Sequence, residues 1–257
     1  MSKFLAIDGM HIVRRIYEAS PEQDGPEKAE AALRHSLVSL RRLLATHQPS
    51  HVLPAFDFGG PNWRHEMHCG YRENHAPMPR ELHERLPDFY RELERSGLAV
   101  VSVPEVEAAD VIATAVLRWI VEERGPAIIA TNSKYLYALM GSGALIWDHF
   151  KSEWHGRDWV MAKYGVPPEW LPDLFALSGN AADGVPGVAK IGVKTAARLI
   201  NGYGGLEQVM AGAGILKDTT GERLRQGAAL AVLSRQLVAM KTDVRLGVTW
   251  KTLAWAG

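Results

Sequence analysis

Apolar runs of strand length punctuate the first part of the chain at Phe4 to Ile7, Val52 to Phe56, Leu98 to Val103 and Ala127 to Ala130, with a weaker fifth at Ala144 to Trp147. Helical patterns fill the gaps at about Pro26 to His47, Pro79 to Ser96 and Ala108 to Glu123. Unbroken apolar strands that alternate with helices require a parallel sheet covered on both faces, because parallel neighbours need long crossovers. The fold class predicted for residues 1–150 is therefore α/β. After Trp147 the chain breaks into short helical pieces at Gly165 to Pro168, Gly184 to Gly192 and Gly202 to Gly205, so residues 151–257 read as an all-helical module packed on the α/β body.

In an open parallel sheet, ligands bind at the carboxyl ends of the strands. The first run leads into Asp8 and the second into Asp57, and the loop after the third delivers Glu107 and Asp110, three apart and able to share one helical face. Converging carboxylates repel one another, so a fold gathers them where a cation compensates, and oxygen-only ligands suit Mg²⁺ or Mn²⁺. Each acid also has a plainer reading: Asp8 before Gly9 as a turn residue, Glu107 or Asp110 as a helix-start carboxylate favoured by the dipole. An aspartyl-phosphate phosphatase needs a second acid where Met10 stands, and Val193 interrupts what would be a phosphate loop between Gly192 and Lys194. Neither chemistry fits.

Lys plus Arg and Asp plus Glu both total 29, but the balance is uneven. Residues 1–183 carry 19 basic against 25 acidic side chains, and residues 184–257 carry 10 against 4. In the basic part, Gly187 and Gly192 bracket a tight turn flanked by Lys190 and Lys194, which looks like a helix-hairpin-helix element that grips a DNA backbone without reading bases, or else a structural hairpin with solvated lysines. Between Trp63 and His75 lie Arg64, Tyr71 and Arg72, a mixture of cations and aromatic faces suited to single strands, expected as a lid or arch within residues 60–96, or else an ordinary surface loop. Arg14 and Arg15, on the first helix beside Asp8, either add to the grip or are solvated. The single cysteine, Cys69, excludes an intrachain disulfide and a cysteine-based zinc cluster. No run suggests a membrane span and Met1 to Gly9 is too short for a cleavable signal, so the expected address is cytoplasmic, with no membrane partner.

These clusters, in this order, resemble the polymerase I type 5′→3′ exonucleases and flap endonucleases, in particular the stand-alone bacterial exonuclease IX branch. The resemblance rests on Ile7-Asp-Gly-Met-His-Ile-Val-Arg-Arg15, Phe56-Asp57, Trp63-Arg-His-Glu66, Tyr71-Arg-Glu-Asn-His-Ala-Pro-Met-Pro79, Val106-Glu-Ala-Ala-Asp-Val-Ile112 and Leu177-Ser-Gly-Asn-Ala-Ala-Asp-Gly-Val-Pro-Gly-Val188. It implies a PIN-like nuclease domain with a helical arch, a helix-3-turn-helix DNA-binding module, and a substrate with a 5′ flap or free 5′ end, handled by a monomer. It also implies a divalent metal on Asp8, Asp57, Glu107 and Asp110, with Asp183 at a second site, and K⁺ on backbone carbonyls near Val188 and Ile191. Arg15, Arg64, Tyr71, Arg72, His75, Lys190 and Lys194 would meet DNA, with Arg72 standing where the family's arch lysine is and His75 where its arginine is.

The chain also departs from the family. The family's Glu-Ala-Asp-Asp is Glu107-Ala108-Ala109-Asp110 here, its Thr-Gly-Asp-Lys-Asp is Thr131-Asn132-Ser133-Lys134-Tyr135, and its Gly-Asp-x-x-Asp is Gly179-Asn180-Ala181-Ala182-Asp183. Losing second-site carboxylates slows a two-metal reaction without necessarily abolishing it. The resemblance therefore leaves two readings open: a nuclease with a reduced second metal site, or a structure-selective DNA-binding protein that has lost turnover. Asn180→Asp, nearly isosteric, reads as the gentlest way to restore a ligand.

Overall fold

The computed structural model describes residues 2–256 of the chain. Its elements run β1 (Phe4–Asp8), α1 (Gly9–Ala19), α2 (Pro26–His47), β2 (His51–Ala55), α3 (Trp63–Met67), α4 (Arg80–Arg95), α5 (Ala108–Val121), β3 (Ala127–Ala130), β4 (Leu145–Asp148), β5 (Glu153–His155), α6 (Arg157–Tyr164), α7 (Leu171–Ser178), α8 (Val193–Tyr203), α9 (Leu206–Gly212), α10 (Thr219–Gln226), α11 (Ala228–Val238) and α12 (Trp250–Leu253). The sheet order is β2-β1-β3-β4-β5. Strands β1 to β4 are parallel and β5 returns antiparallel to β4.

Period-two alternation sorts the apolar strands between two cores. Phe4 and Ala6 of β1 with Ala127 and Ile129 of β3 enter one core, which α5 and the C-terminal helices share. Leu5, Ile7, Ile128 and Ala130 enter the other, under α1, α2 and α4. The strand order reverses at β1, since β2 lies on one side of it and β3 on the other, which makes the carboxyl end of β1 the topological switch point where open α/β sheets bind ligands. Asp8 is the last residue of that strand.

The expected strand at Leu98 to Val103 shrinks to one parallel bridge, Ala55 with Val101, at the open edge of β2. Proline explains the loss. Val101 N–H donates to Pro54 C=O (3.0 Å) and Phe56 N–H to Val101 C=O (2.9 Å), so Pro54 faces that edge, where it has no N–H to extend the ladder. The reading of residues 151–257 as wholly helical also fails at its start, because β5 carries the sheet past residue 150.

The stretch 60–96 is built from α3, a run of turns and α4, and it is docked at both ends. Leu82, Leu86, Phe89 and Leu93 of α4 are buried in the core that α2 also lines. The turns lean on the C-terminal module: Arg72 N–H donates to Asp183 C=O (3.0 Å), and Gly184, at φ +65, approaches Gly70 so closely that a Cβ would collide with the Gly70 carbonyl. Among the described residues no helix is long and apolar enough to cross a membrane.

Candidate functional site

The strand ends open into a cleft of about 350 Å³ whose lining includes Asp8, His11, Arg14, Asp57, Arg72, His75, Glu107, Asn132, Lys134, Tyr135 and Asp183. Asp8 caps α1, accepting from His11 N–H (3.2 Å) through Oδ1 and from the Thr131 hydroxyl (3.0 Å) through Oδ2. Asp57 accepts Ala108 N–H (2.8 Å) at the start of α5. Burial raises the Asp57 carboxyl above the ordinary aspartate range; the Ala108 N–H and Arg72 oppose the rise, and neighbouring Asp8 and Asp110 add to it. Asp8 and Asp57 have no basic partner within ion-pair distance among the described residues. A hard divalent cation fits this place, because its charge would offset the burial that chiefly holds Asp57 up and the smaller repulsion from Asp8 and Asp110.

Glu107, at the N-cap of α5, faces the same cleft but is already engaged. Asn62 Nδ2 (3.0 Å) and Arg72 (3.1 Å) meet Oε1, while Tyr71 Oη (3.3 Å) and Arg64 (3.4 Å) meet Oε2. Arg72 adopts a left-handed backbone, φ +52, to present its guanidinium between Glu107 and Asp183. Burial alone would lower the Arg72 pKa, but Glu107, Asp57 and Asp183 more than offset it, and the group stays charged.

Asp110 is not a wall of the cleft. It is 0% exposed and receives Arg64 through two parallel bonds (2.9 and 2.8 Å), Trp63 Nε1 (3.2 Å), and the backbone N–H groups of Lys241 (2.9 Å) and Glu107 (3.0 Å). Burial would raise its pKa, yet Arg64 holds it below the usual carboxylate range. The helix-start reading of Asp110 describes it; the ligand reading does not. Arg64, expected to meet phosphate, is 2% exposed and also donates to Leu237 C=O (2.8 Å) and Ala239 C=O (2.7 Å) at the end of α11. Tyr71, expected as a stacking face, is 1% exposed and packs inside.

The opposite wall centres on Asp183. Tyr135 Oη donates to Oδ2 (2.7 Å), Asn180 Nδ2 makes a short bond to the same oxygen, Lys134 Nζ lies at 3.3 Å, and His75 Nε2 meets Oδ1 (3.0 Å). Burial would raise this carboxyl, but the Tyr135 bond, Lys134, Arg72 and His75 together hold it low. Two of the positions where the resembling family has aspartates, Tyr135 and Asn180, are thus hydrogen-bond donors to the one acid that survives. This wall does not fit a second metal ion.

The remaining expected DNA contacts lie elsewhere. Arg15 is exposed and stacks over Phe150, 4.4 Å from the ring centre. Lys190, at φ +61, and Lys194 are exposed around the turn that starts α8, and Gly192 caps that helix. Within the turn, Val188 C=O accepts Ile191 N–H (3.0 Å). Lys134, Thr131 and Asn132 were missed from sequence as parts of the site, although they follow β3 directly, so the strand-end rule applied to that strand would have found them.

Comparison with known proteins gives the same architecture a lineage. Residues 3–165 match the model of the 5′-3′ exonuclease N-terminal resolvase-like domain, and residues 166–257 that of the 5′-3′ exonuclease C-terminal SAM fold. The chain is 31% identical over 257 residues to a flap endonuclease Xni of Psychromonas ingrahamii, covering 99% of this chain and 98% of that one. It is 32% identical to a flap endonuclease Xni of Shewanella loihica over 250 residues, 96% of this chain and 94% of the relative. Among solved structures, T5 5′-exonuclease with bound zinc superposes with a TM-score of 0.78 over 93% of this chain and 90% of its own at 16% identity. The catalytic core of Rad2 in complex with DNA substrate superposes with a TM-score of 0.59 over 95% of this chain and 80% of its own at 14% identity. A resolvase-like sheet with acids at its switch point, followed by a SAM-like helical module, is retained along the whole matched length, and the chain belongs to the 5′-3′ exonuclease family.

Proposed function

We propose that this protein is a metal-dependent 5′→3′ exonuclease and flap endonuclease that works with one catalytic ion, Mg²⁺ or Mn²⁺, held by Asp8 and Asp57 with Glu107 beside them. The observation that carries this reading is the asymmetry of the cleft: two carboxylates at the strand ends lack a basic partner, while Asp183 across from them is saturated by the protein's own donors. When bound, such an ion lowers the pKa of a water ligand and neutralises charge on the scissile phosphodiester. The chain's own residues do the rest. Arg72 and His75 meet a phosphate oxygen at the cleft mouth, and Arg72, charged throughout, orients the phosphate and takes no proton. Thr131 and the start of α1 hold Asp8 in one rotamer, and the N-terminus of α5 does so for Asp57.

Lys190 and Lys194 grip duplex phosphates, Arg15 a phosphate near the cleft, and K⁺ sits at the turn carrying Val188 and Ile191. The protein acts as a monomer in the cytoplasm on DNA with a 5′ flap or free 5′ end. Relatives named flap endonuclease and a structural neighbour bound to DNA substrate support the substrate class. The locked state of Asp183 favours a second reading, a structure-selective DNA-binding protein without turnover.

Incubation of a labelled 5′-flap duplex with wild type and Asp8→Ala, in Mg²⁺ and in Mn²⁺, separates the two. The nuclease reading requires product from wild type alone; binding in EDTA without product from either protein establishes the second reading. Replacing Lys190 and Lys194 with Ala should flatten the log–log salt dependence of duplex binding by about one to two units, whatever the sequence.

A further inference from the structure

Away from the cleft, the β4–β5 hairpin gathers a second set of ligand-type side chains. The register pairs Asp148 with Glu153 and Ile146 with His155. Glu153 and His155, two apart on one strand, therefore share a face, and Asp148 stands across from them on that same face. One ligand atom from each lies within 4.8 Å of the others. His155 Nε2 is 3.0 Å from Glu153 Oε1 and 3.8 Å from Asp148 Oδ2. Two ligands each about 2.1 Å from a tetrahedral zinc ion stand about 3.4 Å apart, so the observed spacings bracket the required one.

The supports around this triad favour a metal over a simple ion pair. His155 is 3% exposed, its ring stacked on Trp159 at 3.7 Å and 11°, and its Nδ1 lies 2.9 Å from the Tyr137 hydroxyl. A proton on Nδ1 donated to Tyr137 leaves the Nε2 lone pair aimed at the two carboxylates, the outer support that metal-bound imidazoles use. Asp148 is 2% exposed and no Lys or Arg pairs with it among the described residues. Its other oxygen is set apart from the triad, accepting the N–H groups of Phe150 and Lys151 (3.1 Å each) in the hairpin turn. Glu153 is part-exposed, which gives an ion a way in; its Oε1 also meets Lys151 Nζ at 3.6 Å, a solvent-facing pair of little strength that an entering dication would displace.

We propose that Asp148, Glu153 and His155 form a binding site for a transition-metal dication of the Zn²⁺ class, distinct from the catalytic cleft. One imidazole and two carboxylates select such an ion over Mg²⁺, which prefers oxygen alone. The site has a route to the cleft. The turn that Asp148 shapes presents Phe150, whose ring lies under Arg15 at 4.4 Å and meets the edge of His11 at 5.9 Å. Metal at Asp148 would stiffen the support beneath His11 of the cleft lining and beneath Arg15 outside it.

The test titrates Zn²⁺ into EDTA-stripped full-length protein in excess Mg²⁺ by calorimetry, comparing wild type, Asp8→Asn and Glu153→Gln. Wild type and Asp8→Asn should each bind one Zn²⁺, and Glu153→Gln should bind it at least about tenfold more weakly. The ¹⁵N resonance of His155 Nε2 should move on Zn²⁺ addition, and amide exchange across the hairpin should slow. Glu153 is at the surface, and circular dichroism is the check that its variant folds. Zn²⁺ binding that survives Glu153→Gln but is lost in Asp8→Asn would place the ion in the catalytic cleft and overturn the proposal. Absence of Zn²⁺ binding by wild type would overturn it too, leaving His155 as an internal ion-pair partner.

Discussion

Asp8 and Asp57 on one side, and Asp110 and Asp183 on the other, are the same residue type within one neighbourhood, and the fold treats them oppositely. Asp110 has Arg64, and Asp183 has Lys134 and Arg72 with the His75 ring beside them, so the protein supplies their cations. Asp8 and Asp57 receive only hydroxyl and backbone N–H groups and remain free to hold an ion from solution. Proximity to the cleft does not by itself leave a carboxylate available to a cation; what separates these two pairs is whether a buried internal counter-charge is supplied.

The sharpest way to break this contrast is to remove the internal counter-charge where it is most buried. Arg64→Met should leave Asp110 as an unpaired charge in the interior and destabilise the protein by about 3–5 kcal/mol. Urea unfolding monitors it. Arg64→Lys should rescue little, since an ammonium cannot reproduce the two parallel bonds. If Arg64→Met instead unfolds like wild type but loses DNA affinity, the clamp role assigned from sequence was right.

Next in size is the external half. Asp8→Ala should lower flap cleavage by about a hundredfold or more, worth ~2.7 kcal/mol of barrier, and leave binding in EDTA unchanged or tighter. Asp110→Asn, by comparison, should reduce stability more than it reduces turnover by the folded fraction.

Protonation distinguishes the halves by sign. Asp57 has a folded pKa above its unfolded value, so its contribution to stability is complete below the unfolded pKa and is lost as pH rises through the folded pKa. Asp110 and Asp183 are shifted down, so theirs is present above the unfolded pKa and is lost as pH falls through the folded pKa. In EDTA at neutral pH, Asp57→Asn should therefore raise Tm, and Asp183→Asn should lower it. Saturating Mg²⁺ should raise the Tm of wild type but not of Asp57→Asn. Equal Tm shifts for the two variants in EDTA would remove the distinction.

The outcome shows what a sequence can and cannot disclose here. The alternation around Leu5, Ile7, Ile128 and Ala130 was readable because strand burial has a local period, and Asp8 and Asp57 because the strand-end rule needs only the strand. Leu98 to Val103 has a strand's composition, and its pairing failed on Pro54, a residue of another segment. Arg64 beside Trp63 looks like a phosphate grip until Asp110 and the α11 carbonyls, 46 and 173 residues away, are seen to claim it. Acid identity is local, whereas compensation is long-range.

The smallest effect expected concerns Asn180, whose replacement by Asp looked gentle from sequence. In the fold the Asn180 amide donates to Asp183, so an aspartate there would set two carboxylates against each other with only Lys134, His75 and the more distant Arg72 to share between them. Asn180→Asp alone should raise the Asp183 pKa and yield no gain in cleavage, because Lys134 already supplies Asp183 with a counter-charge. Removing that ammonium as well, in Lys134→Met with Asn180→Asp, gives the two acids a reason to recruit metal. A gain of at most about tenfold, ~1.4 kcal/mol, should then appear at high Mg²⁺ only. If the single variant gains as much as the double, Lys134 is not the obstacle, and the contrast between internally and externally compensated acids fails at the wall where it is closest to balance.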